Sequence, residues 1–316
     1  MSDILTITFN PCIDKSTSVS ALAPEKKLRC SKAKFEPGGG GINVARAIKK
    51  LGGEATAVYP AGGYSGKFLK VLLDEENVKS LVVETAQHTR ENMIVLDVSS
   101  NLQYRFGMPG QELSQEEWQK CLQLVEETDS EFIVASGSLP PGVPADIFIT
   151  LGSIARRKKS KLIVDSSGDA LQHAFHEHVY LIKPNLGELS KLAGEEELDV
   201  YDIGKAARKL IKETGCNIIV VSMGASGAMM ITKDEIYKVA TPPVKRKSTV
   251  GAGDSMVAGI VLSLSSGKSL REAITYGVAS GTAAIINPGT GLCNLNDVNR
   301  IYDHIISLNR VDTEIF

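Results

Sequence analysis

Short runs of apolar residues recur along the chain at 4–9, 55–60, 132–136, 161–165, 179–183 and 218–222, each bounded by polar or turn-forming residues. Runs of this length and character predict buried strands. Between them, 42–51, 66–76, 114–128, 144–158, 188–193 and 200–214 place apolar residues three and four apart, the helical period. Ser114 followed three residues on by Glu117 forms a capping box at the start of one predicted helix. Strand then helix, repeated, implies an α/β fold whose parallel sheet is covered on both faces, with ligands at the carboxyl ends of the strands.

Two stretches break the rhythm. Residues 15–35 are polar and irregular, whereas 92–106 alternates as two short runs, 93–98 and 102–106, around Ser99-Ser100-Asn101, the pattern of a hairpin. A few antiparallel strands from these two segments would form a small flap over the main sheet. Such a flap is stable only if its apolar face packs on something, another subunit for example. No internal repeat, linker or low-complexity segment interrupts the chain. After Gly281 the pattern predicts the rest of a helix, a Pro288-Gly289 turn and a final helix.

Composition narrows the function classes. With 316 residues the chain can bury a full core, as one large domain or as a large and a small one. Lys plus Arg number 35 against 37 Asp plus Glu, a net charge of −2, so no nucleic-acid partner is expected and any basic site must be local. No apolar run approaches the roughly 20 residues needed to span a bilayer. The opening MSDILTITFN lacks a basic n-region, so no secretory signal is expected. Cys12, Cys30, Cys121, Cys216 and Cys293 are scattered and show no C-x-x-C spacing. That pattern predicts reduced thiols in a cytoplasmic setting, not a disulfide framework or a zinc site. His173-x-x-His176-x-His178 has metal-like spacing but no carboxylate or cysteine set around it, and is expected to be a solvated loop.

Two glycine-rich segments carry the chemistry. Pro37-Gly38-Gly39-Gly40-Gly41-Ile42-Asn43-Val44-Ala45-Arg46 and Ser248-Thr249-Val250-Gly251-Ala252-Gly253-Asp254-Ser255 each run into a helical apolar stretch. Glycine lets a ligand approach the main chain, and the free N–H groups of a helix start attract anions. The second segment adds a carboxylate, Asp254. Anion-holding amides beside a proton acceptor are what phosphoryl transfer to a hydroxyl requires. A plain turn with Asp254 as helix N-cap is the alternative. The P-loop pattern is absent, and Met256 stands where the dinucleotide fingerprint needs its third glycine, which counts against a nucleotide-dependent dehydrogenase.

Both segments match the signatures of the ribokinase-like (PfkB-type) carbohydrate kinases, which the chain resembles essentially end to end. Within them it is most similar to the minor-isozyme type of bacterial 6-phosphofructokinase. Phrases such as Lys27-Leu28-Arg29-Cys30, Tyr59-Pro60-Ala61-Gly62-Gly63, Gln103-Tyr104-Arg105-Phe106, Ser136-Gly137-Ser138-Leu139-Pro140-Pro141-Gly142, Val164-Asp165-Ser166-Ser167-Gly168 and Lys183-Pro184-Asn185 carry that likeness. The resemblance implies a three-layer ribokinase-like sandwich: a main α/β domain of residues 1–10, 36–88 and 110–316, and a β lid of 11–35 and 89–109 that clasps its counterpart in a homodimer. It also implies an ATP-dependent kinase of a phosphorylated ketohexose.

The same resemblance distributes roles. Asp254 would take the proton of the attacking hydroxyl, while Gly251, Ala252 and Gly253 hold the transferring phosphoryl. Asp14, Gly38, Gly39 and Asn43 would hold sugar hydroxyls, and Lys27, Arg90 and Ser138 the substrate's own phosphate, with Arg29 as a further cation. Lys183, Asn185, Ser222, Gly224, Gly227 and Ser248 would bind ATP, and Glu188 would organise Mg²⁺ through water. Ser248, Val250, Ala284, Asn287 and Gly289 match positions that supply oxygens to K⁺, although Gly291 departs from the larger polar residue common there. Taken on their own, several of these residues have plainer uses. Asp14 suits a turn, Asn43 and Glu188 suit helix starts, Ser222–Gly227 suits a turn between strands, and exposed cations are usually just solvated.

Gly40 bears on the substrate, because 1-phosphofructokinases and tagatose-6-phosphate kinases usually carry lysine at the equivalent place. Asn10-Pro11 with Ile13-Asp14 looks like those two groups instead. The expectation is phosphorylation of fructose 6-phosphate at the 1-hydroxyl. Tagatose 6-phosphate and fructose 1-phosphate are the alternatives, and a non-catalytic sugar-phosphate sensor is the non-enzyme reading.

Overall fold

The computed structural model describes residues 3–175, 179–287 and 291–313, with side chains to residue 308. In chain order its elements are β1 (Ile4–Ile7), β2 (Cys12–Val19), β3 (Lys34–Gly38), α1 (Gly40–Lys50), β4 (Thr56–Ala61), α2 (Gly63–Glu75), β5 (Lys79–Glu84), β6 (Arg90–Asp97) and β7 (Leu102–Phe106). The chain continues through α3 (Gln115–Glu127), β8 (Phe132–Ser136), α4 (Ile147–Lys158), β9 (Lys161–Asp165), α5 (Gly168–Ala174), β10 (Val179–Ile182), α6 (Leu186–Ala193) and α7 (Ile203–Thr214). Last come β11 (Ile218–Ser222), a short 3₁₀ turn, β12 (Ala228–Ile231), β13 (Ile236–Val239), α8 (Ala252–Ser265), α9 (Leu270–Ile285) and α10 (Leu295–Thr313).

Nine strands form one sheet in the order β13-β12-β11-β10-β9-β8-β1-β4-β5. All pairs from β11 to β5 are parallel; only the β11–β12 and β12–β13 pairs are antiparallel. The pleat sends alternate residues to opposite faces, so β8 gives Phe132 and Val134 to one core and Ile133 and Ala135 to the other. The first core is closed by α1, α2, α8, α9 and α10, the second by α3 to α7. The result is a three-layer α/β sandwich. Helix α8 is buried nearly all round, its apolar residues facing the sheet, α1 and α9, which fits its lack of a polar face.

A second sheet of four strands, β3-β2-β6-β7, stands beside the first. Its hairpin β6–β7 is antiparallel, as the alternation around Ser99-Ser100-Asn101 predicts. Two points differ from expectation. The join between the two segments, β2 with β6, is parallel, so the small sheet is mixed and not purely antiparallel. The stretch read as irregular contains most of β2 and the start of β3, and β3 runs on to Gly38. The middle of β2, Lys15-Ser16-Thr17-Ser18, is half-exposed on both faces, so it shows no apolar alternation to read. His173 lies on α5 and its Nδ1 meets the Asp169 carbonyl at 2.8 Å; His176 and His178 lie outside the described residues.

Candidate active site

The site lies at the carboxyl edge of the large sheet, with the small sheet reaching over it. The chain leaves β1 between β4 and β8, where strand order reverses, and such a switch point opens a crevice. Helix α1 starts over that crevice. Gly39 precedes it at φ 111°, a conformation that side chains resist. Gly40 abuts the end of β8 so closely that a Cβ there would overlap Ser136 Oγ and the Gly137 amide. The Ile42 amide donates to Thr8 Oγ1 at 2.8 Å, pinning the helix start to the end of β1.

Helix α8 arrives from the other side. Gly251, in the left-handed region at φ 73°, is its N-cap and no side chain caps it. Asp254 is therefore a first-turn residue that leaves the cap amides free, and the N-cap alternative does not hold. Asn43 Nδ2 donates to Asp254 Oδ2 at 3.0 Å, joining the two glycine segments directly. Burial, and next the charge of Asp165, push the Asp254 carboxyl up to about 7, against the opposing pull of the Asn43 hydrogen bond and Lys183. A carboxylate held near neutrality is suited to take and release a proton at physiological pH.

Lys183 and Asp165 form a buried ion pair at 3.0 Å beside Gly253. Burial alone would lower the Lys183 ammonium, but Asp165, and behind it Asp254 and Glu188, outweigh burial and raise it. The sequence assigns Asp165 no role beyond its place in the phrase Val164-Asp165-Ser166-Ser167-Gly168, where it is the polar last residue of an apolar strand.

The residues matched to the sugar phosphate gather in part around β2. Asp14 is buried, accepts from Asn92 Nδ2 at 2.9 Å, and lies against Gly38, where a Cβ would come within 2.7 Å of its Oδ2. Arg90 donates to the carbonyls of Asn10 and Met108, both at 3.0 Å, and its Nε is buried without a partner. Asn10 Nδ2 donates in turn to Ser138 Oγ at 3.0 Å. The structure thus brings Arg90 and Ser138 to one place through Asn10. It leaves Lys27 and Arg29 exposed on the β2–β3 connection, with no ion pair among the described residues.

Near the residues matched to ATP lies a cavity of about 700 Å³ between the β11–β12 turn, residues 241–249 and helices α8 and α9. Ser222, Gly224 and Gly227 line it, and Ala252 and Gly253 close one end, adjoining Lys183. Thr249 also lines it and accepts from Arg105 Nη2 of β7 at 3.2 Å, a contact from the small sheet that the sequence did not announce. Asn185 and Glu188 form a reciprocal capping box on α6, at 2.8 and 2.9 Å, so their pairing has a structural use in its own right. Oε2 of Glu188 accepts the Asn185 amide, and Oε1 has no hydrogen-bond partner among the described residues.

The cation set comes together in part. The Ser248 amide donates to the Ile285 carbonyl at 3.2 Å, setting 248–250 against the end of α9. Asn287 commits its Nδ2 to the Ala283 and Leu292 carbonyls at 3.2 and 3.1 Å, which turns Oδ1 the other way, with no partner among the described residues. Gly289 lies outside the described residues.

A model of the pfkB family of carbohydrate kinases matches residues 3–297. The chain is 45% identical over 307 residues to ATP-dependent 6-phosphofructokinase isozyme 2 of Escherichia coli, covering 96% of this chain and 99% of that one. It is 41% identical over 302 residues to the enzyme of the same description from Mycobacterium tuberculosis, covering 95% and 89%. Similarity to the 1-phosphofructokinase of Bacillus subtilis is lower, 30% over 289 residues, covering 91% and 94%. Phosphofructokinase-2 of E. coli in complex with potassium superimposes with a TM-score of 0.92 at 44% identity, over 96% of this chain and 99% of that one. The same protein has been solved in complex with fructose 6-phosphate and in a tetrameric inhibited form, each with a TM-score of 0.91 and the same coverage, at 43% and 44% identity.

Proposed function

The chain belongs to the pfkB family of carbohydrate kinases, and on that premise we propose that it moves the γ-phosphoryl group of ATP to the 1-hydroxyl of fructose 6-phosphate. The observation that carries the proposal is the Asn43–Asp254 hydrogen bond at 3.0 Å, which holds a carboxyl at the free amide end of α8, where a base for the proposed transfer would act. The sugar lies over Gly38 and Gly39, with hydroxyls on Asp14 and Asn43. Its 6-phosphate meets Arg90, whose buried Nε has a donor to give, and Ser138. Lys27 and Arg29 join that phosphate by movement of the exposed β2–β3 connection.

Asp254 takes the hydroxyl proton as the oxygen attacks, and the amides of Ala252 and Gly253, with Lys183, meet the charge that develops on the phosphoryl oxygens. Gly251 supplies the turn that aims them. ATP occupies the 700 Å³ cavity along Ser222, Gly224 and Gly227, with Ser248 behind it and Asn185 at its phosphate end. Glu188 would hold Mg²⁺ through water, and Mg²⁺ when bound screens the phosphate charge. Carbonyls of Ser248, Val250 and Ala284 with Oδ1 of Asn287 would hold K⁺, an ion present in the E. coli relative.

Residues 11–35 and 89–109 act as the lid. Met93, Leu96, Val98, Leu102, Tyr104 and Phe106 are exposed on it, an apolar surface that a second copy of the chain would cover as a homodimer. The cytoplasm, where ATP and sugar phosphates are held, is the proposed location; among the described residues no helix is long and apolar enough to cross a membrane.

Fructose 6-phosphate is favoured over fructose 1-phosphate by the greater identity to the 6-phosphofructokinases and by Gly40, where the adjoining backbone leaves no room for a lysine. A coupled ADP-release assay with fructose 6-phosphate, tagatose 6-phosphate, fructose 1-phosphate and unphosphorylated sugars tests this. The highest kcat/KM is expected on fructose 6-phosphate. Preference for another sugar phosphate would overturn the substrate, and absence of turnover on all of them would overturn the kinase.

A further inference from the structure

A charged side chain on α1 has no part in the chemistry described so far. Arg46 is 2% exposed, one turn beyond Asn43. Four of its five N–H groups make hydrogen bonds. Nε and Nη2 grip the Glu76 carboxylate at 2.8 and 2.6 Å, and Nη1 donates to the Pro37 carbonyl at 2.7 Å and to Asn43 Oδ1 at 3.2 Å. A further carboxylate, Glu36, lies 3.8 Å from Nη2. Glu76 stands at the carboxyl end of α2, so an unbroken series of polar contacts, Glu76–Arg46–Asn43–Asp254, ties α2 through α1 to the first turn of α8.

We infer that Arg46 is a positioning residue for phosphoryl transfer: clamped by Glu76, it fixes the Asn43 carboxamide so that Nδ2, and not Oδ1, faces Asp254. The inference rests on the role proposed for Asp254. A carboxamide has an acceptor on one side and two donors on the other, and a half-turn about its last bond exchanges them. A guanidinium has donors only, so it accepts one orientation, with Oδ1 toward Arg46. The flipped amide would set its NH₂ against a cation and its oxygen against a carboxylate, two repulsive contacts in place of two hydrogen bonds. The grip of Glu76 stops the guanidinium from following such a flip.

Loss of this control has a directional consequence. Asp254 faces Asp165 at the end of β9, Lys183 after β10, Asp14 on β2 and Asn43 on α1. Lys183 and the Asn43 N–H favour the carboxylate, whereas burial, Asp165 and Asp14 favour the neutral acid. An unclamped Asn43 presents Oδ1 part of the time and moves the balance toward the acid. The base then ionises at higher pH, and the attacking hydroxyl is held less well. Misplacement on this scale costs about 10- to 100-fold in rate.

The test compares wild type with Arg46→Met, which keeps the stem but no donor, Arg46→Lys, which keeps one cationic donor, and Glu76→Gln, which weakens the clamp from outside. Glu76 is 29% exposed, so it stays hydrated in the Arg46 variants and its own change carries less folding risk. For each, kcat and both KM values are measured from pH 5.5 to 9, normalised to folded protein by thermal melting. Arg46→Met is expected to lose about 10- to 100-fold in kcat with the KM for ATP unchanged. Its acid limb should move to higher pH, Arg46→Lys should recover part of both effects, and Glu76→Gln should show a smaller shift in the same direction. A side chain serving the fold alone would change the melting temperature and the folded fraction but leave the acid limb in place. An unmoved acid limb in Arg46→Met, or in Glu76→Gln should the former not fold, overturns the inference. Full activity of Asp254→Asn in the same series would sink the proposed base instead, so the two failures are distinct.

Discussion

Replacing Asp254 by Asn should make the protein more stable while disabling it, and the size of the gain follows from the site. The carboxyl is moved from 3.8 to about 7, chiefly by burial. The folded state therefore holds the proton more tightly than the unfolded chain does. Asp254 costs nothing below both values, and its penalty grows as pH rises from about 4 and is complete above about 7. Three units at about 1.4 kcal/mol each set a ceiling of about 4 kcal/mol. Asp254 is partly open to the cleft, where water screens its charge, and about 2 kcal/mol is the working figure. The carboxamide that replaces it would be neutral at every pH, and its oxygen could still accept the Asn43 hydrogen bond. At roughly 2–4 °C per kcal/mol, the variant should melt about 5 °C above wild type at pH 8. At pH 5 the gain should be clearly smaller than at pH 8. Calorimetry without ligand or Mg²⁺, in steps between those limits, reads both differences. A variant melting at or below wild type at pH 8, or a difference independent of pH, would refute the electrostatic description of the site.

Arg90→Ala should weaken fructose 6-phosphate by about ten- to a hundredfold, the worth of one charge-assisted hydrogen bond, and leave the KM for ATP unchanged. An unaltered KM for the sugar phosphate would remove Arg90 from the site. Gly40→Ala should lower both melting temperature and kcat, because its Cβ would overlap Ser136 Oγ and the Gly137 amide and no rotamer can relieve a backbone overlap. Normal values of both would mean that α1 does not sit as tightly as described. Exchange of K⁺ for tetramethylammonium should lower kcat in wild type, and Asn287→Ala should blunt that response; equal rates in the two salts would dismiss the cation set.

The central parallel strands of the large sheet were legible, although the fully buried β12 was not among the predicted strands. The ends of β8, β9 and β11 match the apolar runs residue for residue, because a parallel strand covered on both faces tolerates little else. The lid hairpin was legible, with β7 matching the run 102–106 and β6 overlapping the run 93–98, but the edge strands of the large sheet and the lid strand β2 were not. Lys79–Glu84 and Ile236–Val239 lie at the two edges and mix exposed with buried positions, and β2 is half-exposed through its middle. Among the site residues, Asn43 and Asp254 stood out because glycines mark where a backbone must come close, and the structure joins them across 211 positions of sequence. Arg46 gave a fainter signal: it is the one charge in the otherwise apolar or neutral run Ile42–Ile48, where a helix face is about to be buried. Its partner Glu76 carried no mark at all, since a glutamate ending a helix is ordinary. Pairings between distant elements depend on the fold, and the local pattern does not encode them.

The central claim, that Asp254 is the base in a sugar-phosphate kinase, is tested most directly by kcat and KM of Asp254→Asn with fructose 6-phosphate and Mg-ATP, beside wild type. General-base assistance is worth about 10²–10⁴ in rate, so a loss of at least a hundredfold in kcat with little change in either KM is predicted. A kcat within a few-fold of wild type would contradict it.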